Sequence, residues 1–147
     1  MITQSVKCCF LINKAVYKSL VLLILCLQIQ SVQATDFKKG LQHMENGDYA
    51  LAFCLWEPLA RLGHPDAQYH LGWLYANGNG INVNVKTAVY WWQQAANNGY
   101  LDAQFAIGLA YTTGEGIEAD SEKAFKWFFK AAAAGHEDAR DIVKRLV

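Results

Sequence analysis

The chain repeats itself with a period of 36 residues. Residues 67–102 laid over 103–138 give 13 identities in 36 positions. In the first half these are Ala67/Ala103, Gln68/Gln104, Gly72/Gly108, Tyr75/Tyr111, Gly78/Gly114, Gly80/Gly116 and Ile81/Ile117. In the second half they are Ala88/Ala124, Trp91/Trp127, Ala95/Ala131, Ala96/Ala132, Gly99/Gly135 and Asp102/Asp138. A period of this length is that of a stack, in which each supersecondary unit buries its apolar face on the next. The same shift carried backwards puts Ala52, Trp56, Ala60, Gly63 and Asp66 in register with Ala88, Trp92, Ala96, Gly99 and Asp102. Carried forwards, Ala139 and Arg140 begin a unit that stops after one helix.

Each unit divides into two helices. Asp66, after Pro65, is the expected N-cap of the first, and Ala67, Leu71, Gly72 and Tyr75 follow at helical spacing. Gly78 and Gly80 end that helix, because glycine adopts the left-handed backbone that helix termini need. Asn82-Val83-Asn84 leads into a second helix with Ala88, Trp91, Trp92, Ala95 and Ala96 on one side, closed by Gly99. The next unit repeats the plan, with Asp102 as cap, Gly114 to Ile117 as loop, Asp120 or Ser121 as second cap and Gly135 as stop. Gly72 and Gly108 lie mid-helix, where glycine costs about 1 kcal/mol relative to alanine. A cost paid at the same place in both units implies close approach of a neighbouring helix, with the tryptophans filling the wider gaps.

The residues Ala67-Gln68, Leu71-Gly72, Tyr75, Gly78-x-Gly80-Ile81, Ala88, Trp91, Ala95-Ala96 and Gly99 resemble the Sel1-like repeat, a relative of the tetratricopeptide repeat. Asp120, Lys123, Ala124 and Trp127 fit its D-x-x-K-A-x-x-W core, whereas Asn84 and Thr87 depart from it in the first copy. The resemblance implies an all-α fold, a right-handed αα-superhelix (a TPR-like solenoid) of antiparallel helix pairs. Its expected organisation is a leader over 1–34, a degenerate leading pair over 35–66, full repeats over 67–102 and 103–138, and a capping helix over 139–147. In function it implies an interaction scaffold for a protein or peptide partner, in exported bacterial members often tied to envelope processes or host contact. One exported branch, linked to β-lactam binding and hydrolysis, carries a cysteine pair in each repeat, and this chain has no such pairs.

Export is expected from the N-terminus. Lys7, Lys14 and Lys18 precede the apolar run Leu20 to Leu27, and Val32 and Ala34 are small residues at the −3 and −1 positions of a cleavage after Ala34. The mature chain then starts at Thr35 and is periplasmic or secreted, meeting a membrane only through the leader before cleavage. A retained anchor is the alternative, although the run falls well short of the roughly 20 residues needed to span a bilayer. Beyond the leader stand ten basic and thirteen acidic residues, a balance that gives no reason to expect nucleic acid as a partner. Loss of the leader also removes Cys8, Cys9 and Cys26, so Cys54 is left alone, without a disulfide framework. Its neighbours Phe53 and Leu55 make it a buried small hydrophobe, with pairing between molecules as the alternative.

Catalytic motifs are absent: no S-x-x-K, G-x-S-x-G, H-E-x-x-H or P-loop occurs, and no cofactor or metal motif is present. An enzyme is therefore not expected. The competing reading is a peptidoglycan-associated or β-lactamase-like envelope enzyme that takes a muropeptide. His64 and His136 follow the helix-ending Gly63 and Gly135 and read as structural loop residues. Most aromatics fall at repeating positions, which favours core. Tyr69 and Trp73, with Phe105 and Leu109 one unit on, project away from the Ala67, Leu71, Gly72 and Tyr75 stripe. With His70 and Asn77 beside them, these six form a candidate partner groove on the first helices. The alternative is that they pack on adjacent first helices.

Overall fold

In the computed structural model the described residues are 18–23 and 34–146. The chain divides into two units, residues 1–36 and 37–147. In the first unit, residues 18–23 are helical and exposed, while most of the expected leader, with Val32 and three of the four cysteines, lies outside the described residues. Among the described residues no helix is long and apolar enough to cross a membrane.

The helices are α1 over 34–45, then α2 (Tyr49–Arg61), α3 (Pro65–Asn77), α4 (Val85–Asn97), α5 (Leu101–Thr113), α6 (Ser121–Ala133) and α7 (Glu137–Leu146), all but the start of α1 within the second unit. Packing runs mainly from each helix to the next. Three clusters of buried side chains follow one another along the stack, centred on Trp56 and Leu71, on Ala95 and Ile107, and on Phe128 and Ala139.

The mid-helix glycines are explained by aromatic side chains. A Cβ on Gly72 would lie 2.6 Å from Cδ1 of Trp92 and 3.0 Å from the Ala88 carbonyl oxygen. One on Gly108 would lie 2.5 Å from Cε1 of Phe128. Gly40 on α1 meets the Trp56 indole in the same way, a third copy of the lock. The indole also recovers a polar contact: Trp56 Nε1 donates to the Phe37 carbonyl at 3.3 Å, and Trp92 Nε1 to that of Tyr69 at 3.2 Å. Each acceptor lies three residues before its glycine. The helical penalty of glycine is thus offset by burial of a large ring, worth about 1.5–3 kcal/mol for a side chain of this kind.

Caps depart from expectation at two places. The helix α3 starts at Pro65 with His64 as N-cap, and α5 starts at Leu101 with Tyr100 as N-cap. Proline suits the first helical position because its missing N–H has no helical partner there. Asp66 and Asp102 therefore sit inside the first turn, favourable against the helix dipole but not capping. Asn84 and Asp120 do cap, accepting from the Thr87 and Lys123 amides at 3.1 and 3.0 Å. His136 serves α7 in a similar way, its Nδ1 accepting from the Ala139 amide at 3.3 Å.

Cys54 is exposed, not buried. The inward face of α2 is Ala52, Trp56, Leu59 and Ala60, and position 54 lies on the opposite side at 3.6 residues per turn. Apolar sequence neighbours do not decide burial on a helix. A similar shift affects Trp127, which is half-buried with Lys130 Nζ 4.9 Å above its ring, while Phe128 beside it is 3% exposed.

A buried glutamine stitches successive pairs. Gln68 Nε2 donates to the Ala60 carbonyl at 3.0 Å and Gln104 Nε2 to that of Ala96 at 3.2 Å. The Oε1 of Gln68 accepts from Asn98 Nδ2 at 3.1 Å, but the buried Oε1 of Gln104 has no protein partner. Position 134, equivalent to 98, is an exposed alanine with nearly the same C-cap backbone, φ −85° and ψ −2° against φ −79° and ψ 5°. Ala134→Asn should supply the missing donor and stabilise the fold by about 1 kcal/mol. A urea midpoint that stays put or falls would refute this pairing.

Candidate functional site

On α3, Asp66, His70, Trp73 and Asn77 recur at i, i+4, i+7 and i+11, one stripe of the helix. His70 and Trp73 from this stripe join Tyr69, Met44 of α1 and Tyr49 at the start of α2 around a recess of about 330 Å³. Tyr49 and Trp73 face each other at 6.3 Å between ring centroids, and Tyr69 meets His70 edge-on at 5.5 Å. The floor is rigid. His70 stacks on the buried Trp56 at 4.9 Å and lies 5.7 Å from Phe37. Burial lowers the His70 pKa, against the opposing pull of Asp66 and Asp102. Its neutral form is thereby favoured.

The other three residues of the expected groove are placed differently. Asn77 is exposed and donates back to the Trp73 carbonyl at 2.8 Å. Phe105 stacks on His136 at 4.5 Å and packs in the third core cluster. Leu109, 40% exposed, lines a second and larger cavity of about 540 Å³ with Tyr111, Phe125, Phe128, Ile142 and Leu146. The structure thus brings Tyr69, His70 and Trp73 to an aromatic recess and Leu109 to an apolar groove at the α5–α7 end, with Asn77 and Phe105 outside both.

Tyr69 and Phe105 have a second role that recurs through the stack. Phe37 stacks on His64 at 5.3 Å, Tyr69 packs on Tyr100 at 4.9 Å, and Phe105 stacks on His136 at 4.5 Å. Each partner directly precedes the next first helix, so every unit rests an aromatic ring on the residue that starts its successor. Burial, with Asp102 next in effect, pushes the Tyr100 phenol up to about 12. Tyr69 is raised for the same two reasons.

Met44 and Tyr49 escaped the sequence reading. The turn Asn46-Gly47-Asp48 is four residues shorter than the G-x-G loops, so the first helix of the leading pair aligns at an offset of 32, not 36. That offset superimposes Phe37, Gly40 and Leu41 on Tyr69, Gly72 and Trp73. Among the described residues no group of three or more His, Cys, Asp or Glu side chains is placed to hold a metal ion.

Antiparallel helix pairs, locked by glycine and aromatic and open along their first helices, define an αα-solenoid of the tetratricopeptide-like kind. The chain belongs among the Sel1-repeat proteins: residues 65–100 and 101–136 both match the Sel1 repeat model. Solved structures agree. A Sel1 repeat protein from Oxalobacter formigenes is 32% identical with a TM-score of 0.72, over 75% of this chain and 45% of that one. A protective antigen present in uropathogenic Escherichia coli strains, displaying an SLR fold, is 35% identical with a TM-score of 0.68, over 72% and 24%. Helicobacter pylori cysteine-rich protein B shares the fold at 20% identity and a TM-score of 0.62, over 75% and 93%. The chain spans less than half the length of the first two. A search of curated protein sequences finds no match. Sel1-repeat proteins are generally protein-interaction modules.

Proposed function

We propose that this chain is an exported interaction module that grips a protein or peptide segment along its first helices. One observation carries the reading: the recess of Met44, Tyr49, Tyr69, His70 and Trp73 stays open at about 330 Å³ although aromatic rings surround it. Open apolar concavities of this size, with a few polar groups at fixed positions, are what anchor side chains occupy. Leu109, one unit after Trp73, borders the second cavity, so a partner crossing successive first helices has a further place to anchor.

A photoreactive benzoylphenylalanine placed at Asn77, exposed beside Trp73, should crosslink to a polypeptide in cells. The same group at Tyr90, 55% exposed on the second helix α4, should not. Equal labelling from both positions would count against a partner on the first helices. For export, the leader over 1–34 is proposed to be removed, leaving a chain that begins at Thr35 with the whole of unit 37–147 in place. N-terminal sequencing of protein from the envelope and medium fractions tests this, and an intact N-terminus in both would overturn it.

A further inference from the structure

The recess has aromatic walls, and carboxylates stand near the residues that line it. Asp66 lies one turn before His70 on the same face of α3, and Asp48 directly precedes Tyr49. Asp66 and Asp48 are 42% and 54% exposed. Asp102, 56% exposed at the start of α5, acts electrostatically on both Tyr69 and His70. The nearest basic groups to these carboxylates are imidazoles: His43 at 3.6 Å from Asp48, His64 at 3.5 Å from Asp66 and His136 at 3.5 Å from Asp102. Several permanent cations are engaged elsewhere. Arg61 pairs with Glu57, Lys126 with Glu122 and Lys144 with Asp141, each within its own helix. Phe37, Leu41 and Met44 turn inward from α1, which puts the exposed Lys38 about 100° round that helix from Phe37.

A ring of aromatic faces attracts a cation through its quadrupole, and flanking carboxylates add a charge-assisted hydrogen bond to an ammonium or guanidinium. Long lysine and arginine side chains also carry apolar stems that fit between rings. Resting on the reading of this recess as a peptide site, we propose that its occupant is the lysine or arginine side chain of a basic peptide segment. The acidic balance of the chain beyond its leader, ten basic against thirteen acidic residues, favours approach of such a segment.

The test pans the full chain against a phage-displayed random heptapeptide library and titrates the recovered sequences as synthetic peptides by calorimetry. Recovered sequences should hold lysine or arginine at one fixed position. Replacing that arginine by citrulline, or that lysine by norleucine, should weaken binding about tenfold or more. The Asp48→Asn, Asp66→Asn, Asp102→Asn variant should show a similar loss, its fold checked by circular dichroism and melting. If it melts early, Asp66→Asn with Asp102→Asn takes its place. Peptides that compete at the recess, lose affinity with Trp73→Ala, yet keep it without a cation would overturn the cation assignment and leave the peptide site standing. If no peptide recovered depends on Trp73 or the carboxylates, both readings fall.

Discussion

Trp56→Ala is expected to destabilise the fold by about 3–5 kcal/mol, the range for removing a large ring from a packed core. Trp56 is fully buried, and its indole covers Gly40, donates to the Phe37 carbonyl and supports His70 from below. Removing it opens a cavity against a glycine, which has no side chain to fill the space. The neighbours cannot collapse into it easily, because α1 and α3 are both held by the same ring. Trp127→Ala provides the contrast. Its ring is half-buried and partly covered by Lys130, so a loss of about 1–2 kcal/mol is expected from area alone. Urea unfolding of the two variants decides the matter. A smaller shift for Trp56→Ala than for Trp127→Ala would mean that the glycine locks are not where stability resides.

That contrast shows what the repeat made legible. Identical residues at 36-residue spacing located the helices and the glycines, because close approach leaves no choice of residue at Gly72 and Gly108. The rings that fill those approaches were harder to read. Trp91/Trp127 is the identical pair, yet the side chains against the glycines are Trp92 and Phe128, which differ in kind and share only bulk. Asp66 and Asp102 looked like caps because acidic residues favour both the cap and the first turn. Pro65 and Leu101 take the first helical position instead, and only the backbone distinguishes the two roles. Of the expected groove, Tyr69, His70 and Trp73 come together because they share one helix. Phe105 turns to His136 instead, and the rest of the recess comes from Met44 and Tyr49. No fixed period connects those two to α3, since a four-residue deletion lies between them.

Gly116→Ala is expected to cost about 2–5 kcal/mol, and the reason lies between units, not within one. At φ +74° the backbone there is left-handed, which costs an L-residue about 1–2 kcal/mol. A Cβ would also stand 2.7 Å from the Val85 carbonyl oxygen and 2.9 Å from Cγ2 of Val89. These atoms begin the second helix of the preceding unit. Gly80 repeats the arrangement at φ +72°, 2.7 Å from the Ala50 amide nitrogen. The second glycine of each G-x-G loop is therefore the point where one unit's loop rests on the backbone of the unit before it. Backbone cannot step aside as a flexible side chain can, so the clash adds to the conformational strain, by about 1–3 kcal/mol for overpacking. Gly99→Ala separates the two terms. Gly99 has φ +88° with nothing within 4 Å of its Cβ position, so it should show the strain alone. Equal losses at Gly99 and Gly116, measured by denaturant unfolding, would leave only glycine's backbone freedom to explain these loops. A clearly larger loss at Gly116 would place the stacking of units on the loop itself, and Gly80→Ala should then follow it.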